Sequence, residues 1–244
     1  MQNTGPGQFT ESRDLSLIRK QARIAGMLYI LVAVTGPLSL VYIPGKLFVP
    51  GAVVTIADNI RASTTLLRMG IASELFYQAV EVFLVLVLYG LFKDVNRNLA
   101  RQMAVLGFIP IPIVFVNILN EVAALMFAGD AKFLLSMGRP QLDTLATSFA
   151  FLHSQGLEVA AIFWGLWLFP LGLLIIRCGF IPRFLGVLVM IAGVGYLLGS
   201  FSSLVLPQYH GLLGSAAVIL EVGELPIILW LLIWGARADT KNNN

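Results

Sequence analysis

The sequence predicts an all-α fold: a polytopic membrane bundle of about six spanning helices with both termini in the cytoplasm. Three observations carry this. The chain of 244 residues is 58% apolar and only 12% charged, with a mean hydropathy of +0.86, whereas about a quarter of the residues of soluble domains are charged. Its apolar residues fall into runs near the roughly 20 residues that a spanning helix needs. Its basic residues fall in the short segments between those runs. The net charge of +3 and pI near 9.2 therefore read as topology signals, and no basic patch suited to nucleic acid forms. Cys178 is the single cysteine, which excludes an intramolecular disulfide.

The elements follow in order. Residues 1–21 form a polar N-terminal segment, 22–235 a single transmembrane domain, and 236–244 a polar tail; "MQNTGPGQFTES" and "ADTKNNN" have the composition of disordered ends. The spans are predicted near Ala22 to Ile43, Gly70 to Phe92, Gln102 to Ala128, Ser148 to Ile176, Phe184 to Leu206 and Leu212 to Trp234. Arg19, Lys20 and Arg23 before the first run imitate a secretory signal. That run exceeds a signal's apolar stretch and lacks a clean small-residue cleavage pattern, so it is read as a retained span. The third and fourth runs are long enough to imply tilt or an interfacial extension.

Alternating spans place Arg13, Arg19, Lys20, Arg23, Lys93, Arg97, Arg101, Arg177, Arg183, Arg237 and Lys241 on one side. Lys46, Arg61, Arg68, Lys132 and Arg139 fall on the other. This excess of eleven over five puts both termini in the cytoplasm by the positive-inside rule, and Cys178 with them. A cytoplasmic membrane of a bacterium is the expected location.

Connections and breakers add detail. "RCGFIPR" (Arg177 to Arg183) and "LPQYHG" (Leu206 to Gly211) are so short that the last three spans should pack as sequential antiparallel neighbours. In "TIADNIRASTTLLR", Thr55 and Asp58 resemble a capping box, and Ile56, Ile60 and Leu67 recur at helical spacing. The stretch is either a short amphipathic helix on the outer surface or an extension of the second span. Pro37, Pro110, Pro112, Pro170 and Pro226 fall inside spans, where each removes a backbone donor. In "GELPIILW" Pro226 should leave the carbonyl of Val222 bare between Glu221 and Glu224; such interruptions line transporter sites, although a packing kink is the commoner cause. Gly186, Gly193, Gly195 and Gly199 give the fifth span a small-residue surface for close packing.

The candidate site comes from polar residues inside spans. Glu74, Gln78 and Glu81 share one stripe of the second span at 3.6 residues per turn, with Glu74 read as interfacial. Asn117, Asn120 and Glu121 form a stripe on the third; the fourth carries His153, Gln155 and Glu158, and the sixth Glu221 and Glu224. An ionisable group at the bilayer centre costs roughly 2.5–3.5 kcal/mol, so these residues should face the bundle interior, most at a similar depth in its outer half. No Lys or Arg lies deep in a span. Burial without a counter-ion favours the neutral, hydrogen-bond-donating acid, and the sharp reading is a pocket for a proton, a cation or a small cationic solute. The plainer reading is interhelical glue worth about 0.6 kcal/mol per contact.

A metal is not predicted. His153 and Glu158, five residues apart, do not share a helical face well, and His210 falls in a loop, so a tetrahedral site lacks ligands. Motifs for a serine nucleophile, a zinc protease or a phosphate-binding loop are missing from the sequence, and no cofactor is expected.

"NIRASTTLLRMGI", "HSQGLEVAAIFWGLWLFPLGLLIIRCGFIPRFLGVL", "GYLLGSF" and "GELPIILWLLIWG" resemble bacterial membrane proteins grouped as domain-of-unknown-function family 4386. The resemblance runs from about Arg23 to Gly235, and the turn Gly179 to Arg183 is its most specific piece. It implies an uncharacterised multi-pass fold and brings no ligand or catalytic residue. The expectation is therefore a transporter-like or sensor-like bundle with a Glu-rich pocket formed by Glu81, Glu121, Glu158, Glu221, Glu224, Asn117, Asn120 and His153. The alternative is a structural or partner-binding membrane protein, with a membrane-embedded enzyme behind both. The lipid bilayer is the expected partner, and the oligomeric state is left open.

Overall fold

The computed structural model describes residues 6–48, 56–129 and 136–237, which are helical almost throughout, without a strand among the described residues. The helices are α1 (Pro6–Pro37), α2 (Ile43–Leu47), α3 (Ile56–Ala62), α4 (Thr64–Phe92), α5 (Arg97–Phe108), α6 (Pro110–Ala128), α7 (Arg139–Cys178), α8 (Arg183–Leu204), α9 (His210–Glu221) and α10 (Leu225–Ile233). Six stretches are long and apolar enough to cross a bilayer: Leu15–Leu47, Thr64–Phe92, Arg97–Ala128, Arg139–Cys178, Arg183–Leu204 and Pro207–Ile233. These are the helices of a multi-pass membrane protein, as the composition predicts.

Several boundaries differ from the sequence reading. The second span begins at Thr64 rather than near Gly70. Helix α1 begins at Pro6, so part of the polar N-terminal stretch is helical where composition predicts disorder. Residues 1–5, Thr55, Lys132 and "ADTKNNN" lie outside the described residues. Prolines mark the breaks. Pro37 ends α1 and a π-helical turn, Leu38–Tyr42, follows; Pro110 opens α6 after a one-residue interruption at Ile109. Pro170 leaves the 40-residue α7 continuous, and at 1.5 Å per residue that helix is about 60 Å long, well beyond the hydrocarbon core.

The chain divides into two compact units. One comprises Met1–Ile30, Val82–Phe108 and Ala161–Asn244. Here α7 and α8 are antiparallel neighbours packed glycine to glycine. A Cβ on Gly165 would stand 2.8 Å from the Gly193 carbonyl oxygen, and one on Gly186 would stand 2.5 Å from that of Gly172. Gly165 and Gly172 are seven residues apart, as are Gly186 and Gly193, so the two contacts lie two turns apart along one seam. The opposite face of α8 receives α9: a Cβ on Gly195 would meet the Ala217 carbonyl at 2.8 Å. The predicted small-residue surface is thus two faces serving two partners.

The α10 end of this unit is capped by arginines. Arg19 Nε donates to the Ala236 carbonyl at 3.1 Å and Arg23 Nη2 to that of Ile233 at 3.3 Å, satisfying acceptors that a helix C-terminus leaves open. Gly235 takes the left-handed φ of +67° that ends the helix. The Arg237 guanidinium lies 5.1 Å from the Trp230 ring centroid and 5.5 Å from that of Trp234, a cation–π arrangement.

The other unit comprises Leu31–Glu81 and Ile109–Ala160. Helix α3 is separate from α4, divided from it at Ser63, and its apolar face is covered by protein. Ala57 and Ile60 pack into a buried cluster with Ile43, Leu47, Leu67, Ala124, Ala128, Ala146 and Ala150. Arg61 reaches from α3 to α7, pairing with Asp143 (Nη1 to Oδ1, 2.6 Å) and with Asp58. Its hydrogen bond to Asp143 raises the Arg61 pKa against the opposing effect of burial. Arg139 Nη2 donates to the Ala128 carbonyl at 3.1 Å, capping α6.

Candidate functional site

Within the unit of Leu31–Glu81 and Ile109–Ala160, three helices each bring one ionisable side chain to a common point. Glu74 comes from α4, Glu121 from α6 and His153 from α7, each at most 1% exposed. His153 Nε2 stands 3.5 Å from Glu74 Oε2 and 3.6 Å from Glu121 Oε1. One ligand atom from each of the three lies within 4.8 Å of the other two. Among the described residues, both carboxylate oxygens of Glu74, Oε2 of Glu121 and Nε2 of His153 are buried without a hydrogen-bond partner. Gln78, one turn after Glu74 on α4, is also fully buried.

The local sequence explains how the ring is held. Asn117, at i−4 from Glu121 on α6, donates from Nδ2 to the His153 carbonyl at 2.8 Å. Asn120 Nδ2 donates to Asn117 Oδ1 at 2.9 Å, which fixes the orientation of the Asn117 amide. His153 Nδ1 lies 3.3 Å from the Asn117 carbonyl oxygen and 3.2 Å from Asn117 Nδ2. Asn117 comes this close because residue 156 is glycine: a Cβ there would collide with the Asn117 side-chain amide. Asn117, Asn120 and Gly156 thus seat the imidazole, and Nε2 is left facing two carboxylates.

Of the residues expected in one pocket, Asn117, Asn120, Glu121 and His153 are brought together. Glu81 is 5% exposed on the stripe of Glu74 and Gln78, and Glu158 is half-buried on α7; neither belongs to the three-ligand group. Glu221 and Glu224 belong to the other unit. There Glu224 accepts a short hydrogen bond from the Tyr29 hydroxyl and one of 3.2 Å from that of Tyr196. Glu221 is half-buried beside Gly199. Val222 does not offer the bare carbonyl expected upstream of Pro226. The chain tightens into a 3₁₀ turn, Val222–Glu224, and the Leu225 N–H donates to the Val222 oxygen.

Glu74, which the sequence reading sets near the membrane boundary and leaves out of the candidate pocket, is fully buried in the protein. Helix α4 begins at Thr64, so Glu74 is almost three turns inside it. Groups able to ligate an ion, which α7 alone does not offer beside His153, come from two other helices, Glu74 from α4 and Glu121 from α6. Glu74 and Gln78 on one stripe with Glu81 were the available signal.

The chemistry open to this arrangement is narrow. Two carboxyl groups and an imidazole, all removed from water, bring their unpartnered atoms to one point. A separation of 3.5 Å is long for a hydrogen bond. At a metal–ligand distance of about 2.1 Å, however, tetrahedral ligands stand about 3.4 Å apart.

Comparisons with known proteins add a family and no activity. A stretch of 81 residues is 32% identical to a protein of Archaeoglobus fulgidus described as "Uncharacterized protein"; it covers 33% of this chain and 47% of that one. The chain thus spans about half the length of that relative. No solved structure matches. The family described as "Domain of unknown function (DUF4386)" matches over residues 24–235, nearly the whole membrane part, and the chain belongs to this family.

Proposed function

We propose that this protein is a transporter-like or sensor-like membrane bundle that holds a cation at Glu74, Glu121 and His153, with both termini in the cytoplasm. One observation carries the reading: two buried carboxylates face a third buried polar group, and among the described residues neither pairs with a Lys or Arg. Removing an ion from water costs several kcal/mol even after relaxation. Interhelical contacts worth about 0.6 kcal/mol each do not offset that, and a bound cation does.

The structural reading retains one specific support, the hydrogen bond from Asn117 Nδ2 to the His153 carbonyl that ties α6 to α7. The two are separated by thermal unfolding of the detergent-purified protein in sodium, potassium, magnesium, calcium, manganese and zinc salts. The cation reading predicts that at least one salt raises Tm and that Glu74→Gln/Glu121→Gln abolishes the response. An equal response in both proteins, or none in either, would overturn the cation reading.

A further inference from the structure

We infer that the site takes a divalent first-row transition-metal ion, of the zinc, manganese or iron(II) class, with His153 Nε2 and one oxygen each of Glu74 and Glu121 as ligands. The inference rests on the cation reading above and narrows it to a ligand class.

Distance is the first argument. His153 Nε2 is 3.5 Å from Glu74 and 3.6 Å from Glu121, close to the spacing of neighbouring ligands around one small ion. The three donor atoms lie within 4.8 Å of one another, so closing the site requires the carboxylates to shift by about an ångström at most, judged against tetrahedral spacing.

Donor chemistry is the second. Alkali ions, magnesium and calcium prefer oxygen shells, calcium with six or more ligands. An imidazole nitrogen placed between two carboxylates suits zinc, iron, manganese or cobalt instead. Two carboxylates match the charge of a divalent ion and leave a neutral centre in hydrocarbon. Three protein ligands also leave coordination positions open, as at exchanging or catalytic ions rather than four-ligand structural ones.

The third argument is the second layer around the ring. Ligating histidines commonly donate their other ring N–H to a carbonyl or carboxylate, which fixes the free lone pair on the metal side. His153 Nδ1 has the Asn117 carbonyl oxygen at 3.3 Å for this purpose. In the tautomer with Nδ1–H donating there, Nε2 turns a lone pair toward the two carboxyl groups, and either a cation or a carboxyl proton between them relieves the repulsion.

The test is cobalt(II) titration of the full chain, purified in detergent with a tag free of histidine and stripped with chelator. Visible d–d bands and zinc competition report the ligand set. We expect about one equivalent of cobalt, displaced by zinc, and affinity lowered at least tenfold by each of Glu74→Gln, Glu121→Gln and His153→Gln. Gel filtration checks that each variant is folded. Should a variant not fold, Asn120→Ala serves, touching the ring only through Asn117 and expected to weaken cobalt binding by a smaller factor. Absence of cobalt and zinc binding by the folded wild-type protein would overturn the inference, as would affinity unchanged in every folded variant. If sodium, potassium, magnesium or calcium instead raises Tm through Glu74 and Glu121 while His153→Gln has no effect, the transition-metal assignment falls and the cation reading stands. If no cation acts, both fall.

Discussion

Asn117 and Gly156 are a matched pair: the Asn117 amide lies where a side chain on Gly156 would begin. Replacing a helical glycine by alanine ordinarily stabilises by about 0.8–1 kcal/mol. Here overpacking and loss of the 2.8 Å bond to the His153 carbonyl outweigh that gain. Gly156→Ala should therefore destabilise by roughly 1–3 kcal/mol, read as a lower Tm in detergent. Gly90→Ala, with open space around the new methyl, is the control and should be neutral or slightly stabilising.

The α7–α8 seam makes a second prediction of the same kind. Each glycine in it faces a backbone carbonyl, which cannot swing aside as a side chain can. Gly193→Ala and Gly186→Ala should each destabilise by about 2 kcal/mol or more. The double variant should cost less than the sum, because once one contact has pushed the helices apart the other is partly relieved. Thermal or denaturant unfolding of the four proteins measures this, and an additive result would mean that the two contacts act independently.

The amount of this architecture legible in the sequence follows from the range of the physics involved. Six spans can be read because each is a local run of about 20 apolar residues. The glycine surface of α8 is visible as spacing, but its division between α7 and α9 depends on helix rotation. For the candidate site, the stripes of Glu74, Gln78 and Glu81 and of Asn117, Asn120 and Glu121 are local and legible. Which stripe meets which is a tertiary fact. Glu224 looks like a member of that group from its depth in a span, yet its hydroxyl partners are Tyr29 and Tyr196. Glu74 is legible as a member of its stripe, but its burial against other helices is a tertiary fact that apolarity along α4 does not carry.

Tyr29→Phe tests the Glu224 group. It removes one of two donors to that carboxylate and should destabilise by about 1–3 kcal/mol. Tyr196→Phe removes the other, at 3.2 Å, and should cost a similar amount. Neither change should alter cation binding at Glu74, Glu121 and His153, as measured by salt-dependent Tm.

Orientation is testable through the single cysteine. In intact cells an impermeant maleimide should leave Cys178 unlabelled and should react with Gly211→Cys in a Cys178→Ser background. Gly211 has no atom within 4 Å of its Cβ position and opens α9. The opposite labelling pattern would reverse the topology derived from the basic residues.

The most direct test of the central claim is anomalous scattering from crystals of the full chain soaked in zinc or manganese. One strong peak is expected, enclosed by Glu74, Glu121 and His153 and roughly 2.0–2.2 Å from each ligand atom. A cluster without a peak, its carboxylates bonded directly to the imidazole while metal binds elsewhere, would contradict it.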